Sequence, residues 1–361
     1  MPNSYYTCNL LPLDLVVRTG YSPRWLGNHL RDANAPAQRD ALSIHPMTCP
    51  YVTKLAVAAE EVLAGRGANT DSSQANCLVV PGGCDAMRRL GDLLISTYPD
   101  KVFVLTLSRS SGSRATAALA SELARMEDWL QARLLAGGQP PTASDSNPAA
   151  TTEPPAIDYP HPPAPGGVFL VSGPLSNDSL LRLVHKLGSH VSGLESCTSP
   201  DRWRPLAPAA AAERRTKRGT HLGQVTDPDY QALAAYMMAA GVCPRRSTVE
   251  RREYLKHRLD ESQPSSIIYA RQSFCDPGAY DGLLVAELAR ERHLPYLEIE
   301  VDFPFDAGGP LRTRVEAFLE AQLLDDDLLT DDDLFDDTAV AGPPADVADT
   351  GAPTTPAAKE V

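Results

Sequence analysis

Short apolar segments that alternate with amphipathic ones are the feature of this sequence that most restricts its fold. Three runs have the character of buried strands, namely KVFVLTL (101–107), VFLVSG (168–173) and SSIIYA (265–270). Each leads into a segment with helical spacing, and 114–135 is the clearest, with apolar residues along one face. Strands that alternate with helices are typical of parallel sheets covered on both faces. The sequence therefore predicts an α/β fold with Rossmann-like parallel sheets.

A proline-rich segment divides this pattern into two parts. Residues 137–165, GGQPPTASDSNPAATTEPPAIDYPHPPAP, contain few large apolar side chains and favour an extended linker. We therefore expect a first Rossmann-like domain over 1–136 and a second over 166–324. The tail, 325–361, carries eleven acidic residues and one lysine and cannot bury enough apolar surface to fold, so we expect it to be disordered.

Charge and hydropathy exclude several classes of function. The chain has a net charge of −13, and because the tail contributes −10, residues 1–324 carry only −3. No basic patch indicates nucleic-acid binding. No apolar run approaches the roughly 20 residues of a membrane span, and the first residues lack the pattern of a signal peptide. We expect a cytoplasmic protein that binds neither nucleic acid nor membrane.

Common nucleotide and hydrolase motifs are absent from the sequence. There is no G-x-G-x-x-G after the first strands and no G-x-x-x-x-G-K-[ST], which disfavours binding of NAD or ATP by this chain. The G-x-S-x-G turn of a serine hydrolase is also missing.

Seven cysteines hold the strongest chemical signal. Their number is odd and they are widely spaced, which in a reducing compartment favours burial, metal binding or reactivity over disulfides. Cys49, Cys84 and Cys275 each stand where a loop enters a helix, the end of an α/β sheet at which ligands bind. A helix N-terminus lowers the pKa of a thiol and favours the thiolate that binds metal. Three such thiolates suit an iron–sulfur cluster or an open zinc site, whereas each taken alone reads better as a small buried residue.

The other four cysteines have simpler interpretations. Cys77 begins a strand and is predicted to lie in the core. Cys8 lies in a segment expected to be mobile and is interpreted as incidental. Cys197 and Cys243 lie in loops and are interpreted as structural, with lining of a pocket as the alternative.

Three segments resemble a known family. They are TCPYVTKLAVAAEEVLAG (48–65), VVPGGCDAMRRLGDLL (79–94) and SIIYARQSFCDPGAYDGLLVAELARERHLPYLEIEVDF (266–303). Together they resemble the 2-hydroxyacyl-CoA dehydratase D-component family, which includes subunits of 2-hydroxyglutaryl-CoA dehydratase and benzoyl-CoA reductase. The resemblance covers most of 12–322. It implies two Rossmann-like domains and a [4Fe–4S] cluster held by Cys49, Cys84 and Cys275.

The resemblance also implies an activity and its partners. An ATP-dependent iron–sulfur activator would reduce the enzyme, and a 2-hydroxyacyl-CoA would lose water through a ketyl radical. The cluster would have an open iron that binds the thioester carbonyl as a Lewis acid. Such enzymes are pairs of related subunits, so we expect a heterodimer in which this chain is either the substrate-binding subunit or its partner.

Two alternatives stay open. One is a low-potential reductase subunit of the benzoyl-CoA reductase type or the double-cubane type. The other is a cluster-free binding or scaffold protein with vestigial cysteines. Iron content distinguishes this cluster-free protein from the dehydratase and reductase candidates.

Overall fold

The protein is seen in a computed structural model that describes most of the chain. The described residues are 1–8, 10–30, 44–65, 76–137, 163–175, 177–197, 230–239, 243–245, 248–303, 305 and 308–328. Most of the proline-rich segment and the tail beyond 328 therefore lie outside the described residues.

The first sheet has four parallel strands. In chain order they are β1 (Asn3–Tyr6), β2 (Ser22–Trp25), β3 (Cys77–Gly82) and β4 (Val102–Thr106). Their order across the sheet is β2-β1-β3-β4. Strand β3 is buried along its whole length, as expected for a central strand covered on both faces.

The second sheet repeats this arrangement. Its parallel strands are β5 (Val168–Ser172), β6 (Val191–Ser196), β7 (Ser266–Gln272) and β8 (Tyr296–Val301). The order is β6-β5-β7-β8, so each sheet places its first and third strands at the centre. The predicted α/β class with two parallel sheets is confirmed.

The helices lie between the strands. In chain order they are α1 (Leu13–Arg18), α2 (Pro50–Leu63), α3 (Asp85–Thr97), α4 (Ser113–Ala136), α5 (Ser179–Lys186), α6 (Tyr230–Ala239), α7 (Thr248–Ser262), α8 (Asp276–Glu291) and α9 (Gly309–Leu328). Within the described ranges, none combines the length and the apolar character that a bilayer crossing needs.

Helix α6 links the two halves of the sequence. Although it lies in the part predicted as the second domain, its Met237 and Met238 are buried in the core of the first sheet, against α4. The hydroxyl of Tyr230 donates a hydrogen bond to Glu127 of α4 over 2.6 Å. The chain therefore returns to the first sheet before it builds β7.

Several elements differ from the sequence-based expectation. The N-terminal segment that we expected to be mobile forms β1, and β6 was not anticipated at all. Helix α9 continues to Leu328, so the first four residues of the predicted disordered tail are helical.

Candidate functional site

Three cysteines occupy the same position on three different helices. Cys49, Cys84 and Cys275 are the N-cap residues of α2, α3 and α8, respectively. Proline follows at the helix start after Cys49, and Pro277 lies in the first turn after Cys275, where its missing N–H costs nothing. Backbone N–H groups of the first turn face each thiol and lower its pKa, although no thiol accepts a full capping hydrogen bond.

The structure brings these three thiols into one neighbourhood. Burial raises the pKa of the Cys275 thiol to about 12, and the nearby Cys49 and Cys84 thiols raise it further. Burial also raises the pKa of Cys84 to about 11, again with a contribution from Cys49. Because thiols influence one another's ionisation only at short range, the three predicted residues lie near one another, in a region that we call the cleft.

The direction of these pKa shifts corrects the sequence-based expectation. The helix N-termini were expected to lower the thiol pKa values, but burial is the largest cause and raises all three. The thiols are therefore protonated at neutral pH, and binding a metal centre would release protons.

Three further cysteines belong to the same cleft, which sequence reasoning missed. The Cys8 thiol has its pKa raised to about 12 by burial first, and Cys243 and Cys84 add to the shift. Burial raises the pKa of Cys197 well above its usual value, and Cys243, Cys275, Cys8 and Cys84 contribute. Cys8, Cys197 and Cys243 therefore lie near the predicted three.

Topology explains why these cysteines meet. Cys8 and Cys84 follow β1 and β3, the central strands of the first sheet, while Cys197 and Cys275 follow β6 and β7 of the second. Carboxyl ends of parallel strands lie at one edge, where α/β proteins bind ligands. The missed signal was β1, since recognising that strand would have placed Cys8 at this edge.

Cys77 stands apart from the cleft. It is fully buried in the core beside Tyr21 and Ser4, and burial raises its pKa to about 12. The predicted core role of Cys77 is confirmed.

An arginine fixes the turn that carries Cys84. Arg88 donates hydrogen bonds from Nε to the carbonyl oxygen of Gly82 over 3.2 Å and from a terminal nitrogen to that of Leu107 over 3.3 Å. Gly82 has little free space, because a Cβ there would come within 3.3 Å of the Leu105 carbonyl oxygen. This packing holds the strand end against the start of α3.

A buried network holds the helix that carries Cys275. The hydroxyl of Tyr269 in β7 donates to the carbonyl oxygen of Gly278, in the first turn of α8, over 2.7 Å. Asp281, one turn on, accepts two hydrogen bonds from Arg251 of α7, at 2.9 and 3.0 Å. These contacts tie the start of α8 to both its strand and the neighbouring helix.

Thiols are the metal-ligating groups that these helix starts present. Among the residues that the structure describes, no three His, Cys, Asp or Glu side chains stand close enough to hold one metal ion. Thiolates are ligands of both zinc and iron–sulfur clusters, so Cys49, Cys84 and Cys275 are the residues with the chemistry to hold such a group.

Comparison with known proteins shows similarity to dehydratase subunits. The family model of the 2-hydroxyglutaryl-CoA dehydratase D-component matches residues 168–321, which include the second sheet and Cys275. A relative from Escherichia coli (strain K12), YjiM, provisionally named as a dehydratase subunit, is 27% identical over 144 residues, 40% of this chain. The chain matches only 33% of that relative's length. The comparisons thus confirm, over residues 168–321, the predicted resemblance to the 2-hydroxyglutaryl-CoA dehydratase D-component family.

Proposed function

We propose that this chain is a subunit of an oxygen-sensitive 2-hydroxyacyl-CoA dehydratase, a lyase. Its [4Fe–4S] cluster would be held by Cys49, Cys84 and Cys275. The observation that carries the proposal is the convergence of three N-cap cysteines from three helices in one cleft. The match to a dehydratase D-component supports the reaction class.

The chain's own residues prepare the cleft for such a cofactor. The first-turn N–H groups of Tyr51, Val52, Met87 and Gly278 face the thiols and favour negative charge on sulfur. When bound, the cluster would supply one-electron chemistry and a Lewis-acidic iron for the thioester carbonyl.

The proposed reaction requires partners. Elimination of water from a 2-hydroxyacyl-CoA through a ketyl radical needs one electron, which an ATP-dependent activator with its own cluster would deliver. We propose a heterodimer with a related dehydratase subunit, formed in the cytoplasm. The same proposal keeps two Rossmann-like domains over 1–136 and 166–324, joined by the segment 137–165.

The six clustered cysteines favour a second candidate. A reductase subunit of the double-cubane type would use more thiolate ligands than one cubane needs. Cys8, Cys197 and Cys243 supply such additional ligands beside the first three. In this case the chain would transfer low-potential electrons and would not eliminate water.

Metal content is the decisive experiment. Iron and acid-labile sulfide are measured on full-length protein that is purified anaerobically and reconstituted, beside the Cys49→Ala, Cys84→Ala and Cys275→Ala variants. The dehydratase proposal predicts about four irons per chain, with iron lost in each of the three variants. The Cys77→Ala variant is the control, because this cysteine is fully buried in the core and lies outside the cleft.

The other outcomes are equally informative. About eight irons, reduced by Cys8→Ala, Cys197→Ala or Cys243→Ala, would favour the double-cubane candidate. No iron after reconstitution would reject both and leave the cluster-free scaffold. If four irons bind, release of water from 2-hydroxyacyl-CoA with activator and ATP tests the reaction.

A further inference from the structure

A buried arginine faces the cysteine cleft. Arg245, two residues after Cys243, is only 5% exposed. Its Nε lies 3.4 Å from where a Cβ on Gly83 would stand, directly before Cys84. One terminal nitrogen donates a hydrogen bond to the Leu107 carbonyl oxygen over 3.2 Å. The guanidinium thus lies over the turn that presents Cys84.

Among the described residues, no carboxylate balances the charge of Arg245. Within the part of the chain that the structure describes, Leu107 is its one hydrogen-bond acceptor, and its buried Nε has no partner. By contrast, the equally buried Arg251 is paired with Asp281. An unpaired buried cation is costly, so Arg245 requires an anion in its surroundings.

The groups near Arg245 identify that anion. The charge of Arg245 acts on the thiols of Cys8 and Cys84, where it opposes the larger increase in pKa that burial causes. The three ligand thiolates would carry one negative charge more than an oxidised cubane can neutralise, and reduction by one electron adds another. A fixed positive charge beside this centre therefore favours the reduced state.

We infer that Arg245 is the counter-charge of the metal–sulfur centre in this cleft, and that it raises the reduction potential of that centre. The inference rests on the proposed function, because it requires a thiolate-held cluster. Arg245 acts as a positioning residue, since its guanidinium stabilises negative charge and does not itself ligate metal.

The test compares the reconstituted native protein with the variants Arg245→Gln, Arg245→Lys and Arg89→Gln. Iron per chain is determined first, and the midpoint potential is then measured by redox titration monitored by electron paramagnetic resonance. Arg89→Gln is the matched control, because Arg89 lies on α3 near Cys84 but is exposed and pairs with Asp92 at the surface. Circular dichroism establishes that each variant is folded.

We expect Arg245→Gln to reduce the equilibrium constant for one-electron reduction at least tenfold, which lowers the potential by about 59 mV. Arg245→Lys should recover most of this loss, because it keeps a positive charge. Arg89→Gln should leave the potential unchanged. If Arg245→Gln fails to retain iron while Arg245→Lys retains it, the requirement for charge is supported in the same way.

Two results would overturn the inference. One is that iron-loaded Arg245→Gln has the same midpoint potential as the native protein. The other is a folded Arg245→Lys protein that behaves no better than Arg245→Gln, since charge would then not be what the site uses. Absence of iron from the native protein is a distinct result, because it rejects the proposed function itself.

Discussion

Phe274, which precedes Cys275, has an unusual backbone conformation for a bulky residue. Its φ is +55°, in the left-handed region, and its side chain is 47% exposed. Such conformations cost about 1–3 kcal/mol and persist where the surroundings fix them, often at functional sites. The strained turn directs the Cys275 thiol toward the first turn of α8. The direction of the Cys275 side chain therefore depends on the conformation of a single neighbouring residue.

Gly278 gives a test at this scale. A Cβ added there would stand 3.2 Å from the Cys275 sulfur, so Gly278→Ala should displace the thiol and at least halve the iron retained after reconstitution. Gly282→Ala is the matched control, because on the same helix its Cβ would meet Glu298 at a similar 3.1 Å, away from the thiol. Equal iron content in the two variants would contradict the prediction. Iron analysis measures the iron retained, and thermal unfolding measures the stability of each variant.

Cys77 allows a test of the effect of burial on a thiol outside the cleft. Its pKa is raised to about 12, whereas an unfolded thiol ionises near pH 8.5. The unfolded state therefore loses its proton first, and the stability from this thiol is complete below about pH 8.5 and lost as pH rises toward 12.

The variant Cys77→Val should accordingly resist alkali better than the native protein. Between about pH 9 and 12 the native chain should lose up to about 1.4 kcal/mol more per pH unit than the variant. Urea unfolding of metal-free protein across this range measures the difference. If the unfolding free energies of the native protein and Cys77→Val change with pH in parallel, the Cys77 thiol ionises in the folded protein as it does in the unfolded chain.

At the scale of elements, the position of α8 depends on a charged layer between it and α7. Arg251 and Asp281 are both almost completely buried, and Glu195 at the end of β6 lies 3.8 Å from the same guanidinium. Arg258 adds a second contact to Glu195 at 2.7 Å. Removing one partner of such a network leaves an uncompensated buried charge. The network therefore fixes the start of α8, and with it Cys275.

Neighbouring arginines on α7 provide a matched pair of variants. Arg251→Gln should lower the free energy of unfolding by about 3–5 kcal/mol, because Asp281 would be left buried and unpaired. Arg252→Gln removes contacts with Glu287 and Glu291 at the surface and should cost under about 1 kcal/mol. Urea denaturation measures both values. Similar costs would mean that the buried network does not hold α8.

At the scale of the whole molecule, one aromatic contact joins the parts built on the two sheets. Phe303, which follows β8, packs edge-on against Tyr51 of α2, with ring centroids 5.0 Å apart. The Tyr51 hydroxyl donates to the Thr7 carbonyl oxygen over 2.7 Å, beside Cys8. This one tyrosine therefore connects the second sheet to the loops that carry Cys8 and Cys49.

Phe303→Ala should open this connection. We expect the free energy of unfolding to fall by about 3–5 kcal/mol. Iron retention should also fall, because the loops that carry Cys8 and Cys49 would no longer be held to the second sheet. Phe305→Ala is the control, since Phe305 is buried to the same extent, 6% exposed, but packs in the core of the second sheet. If the Phe303→Ala variant retains as much iron as the native protein, the proposed role of this contact is contradicted.

Most of the helices and strands could be predicted from local patterns. Helix α4 was expected over 114–135 and occupies Ser113–Ala136, because its apolar residues repeat with helical spacing. Strands β1, β2 and β6 were missed, since NSYY, SPRW and VSGLES mix polar residues, proline or glycine with apolar ones and have no clear period. These strands form because neighbouring strands pair with them, which no local pattern encodes.

The sequence by itself determined the alternation that makes parallel sheets and the placement of Cys49, Cys84 and Cys275 at helix starts, because both depend on residues close together in the chain. Only the tertiary structure decided that Cys8, Cys197, Cys243 and Arg245 face the same cleft, since these groups lie far apart in sequence and meet through the shared edge of two sheets. It also decided the direction of the thiol pKa shifts. Burial is set by everything that packs around a group, and here it outweighs the helix N-terminus that the local sequence supplies.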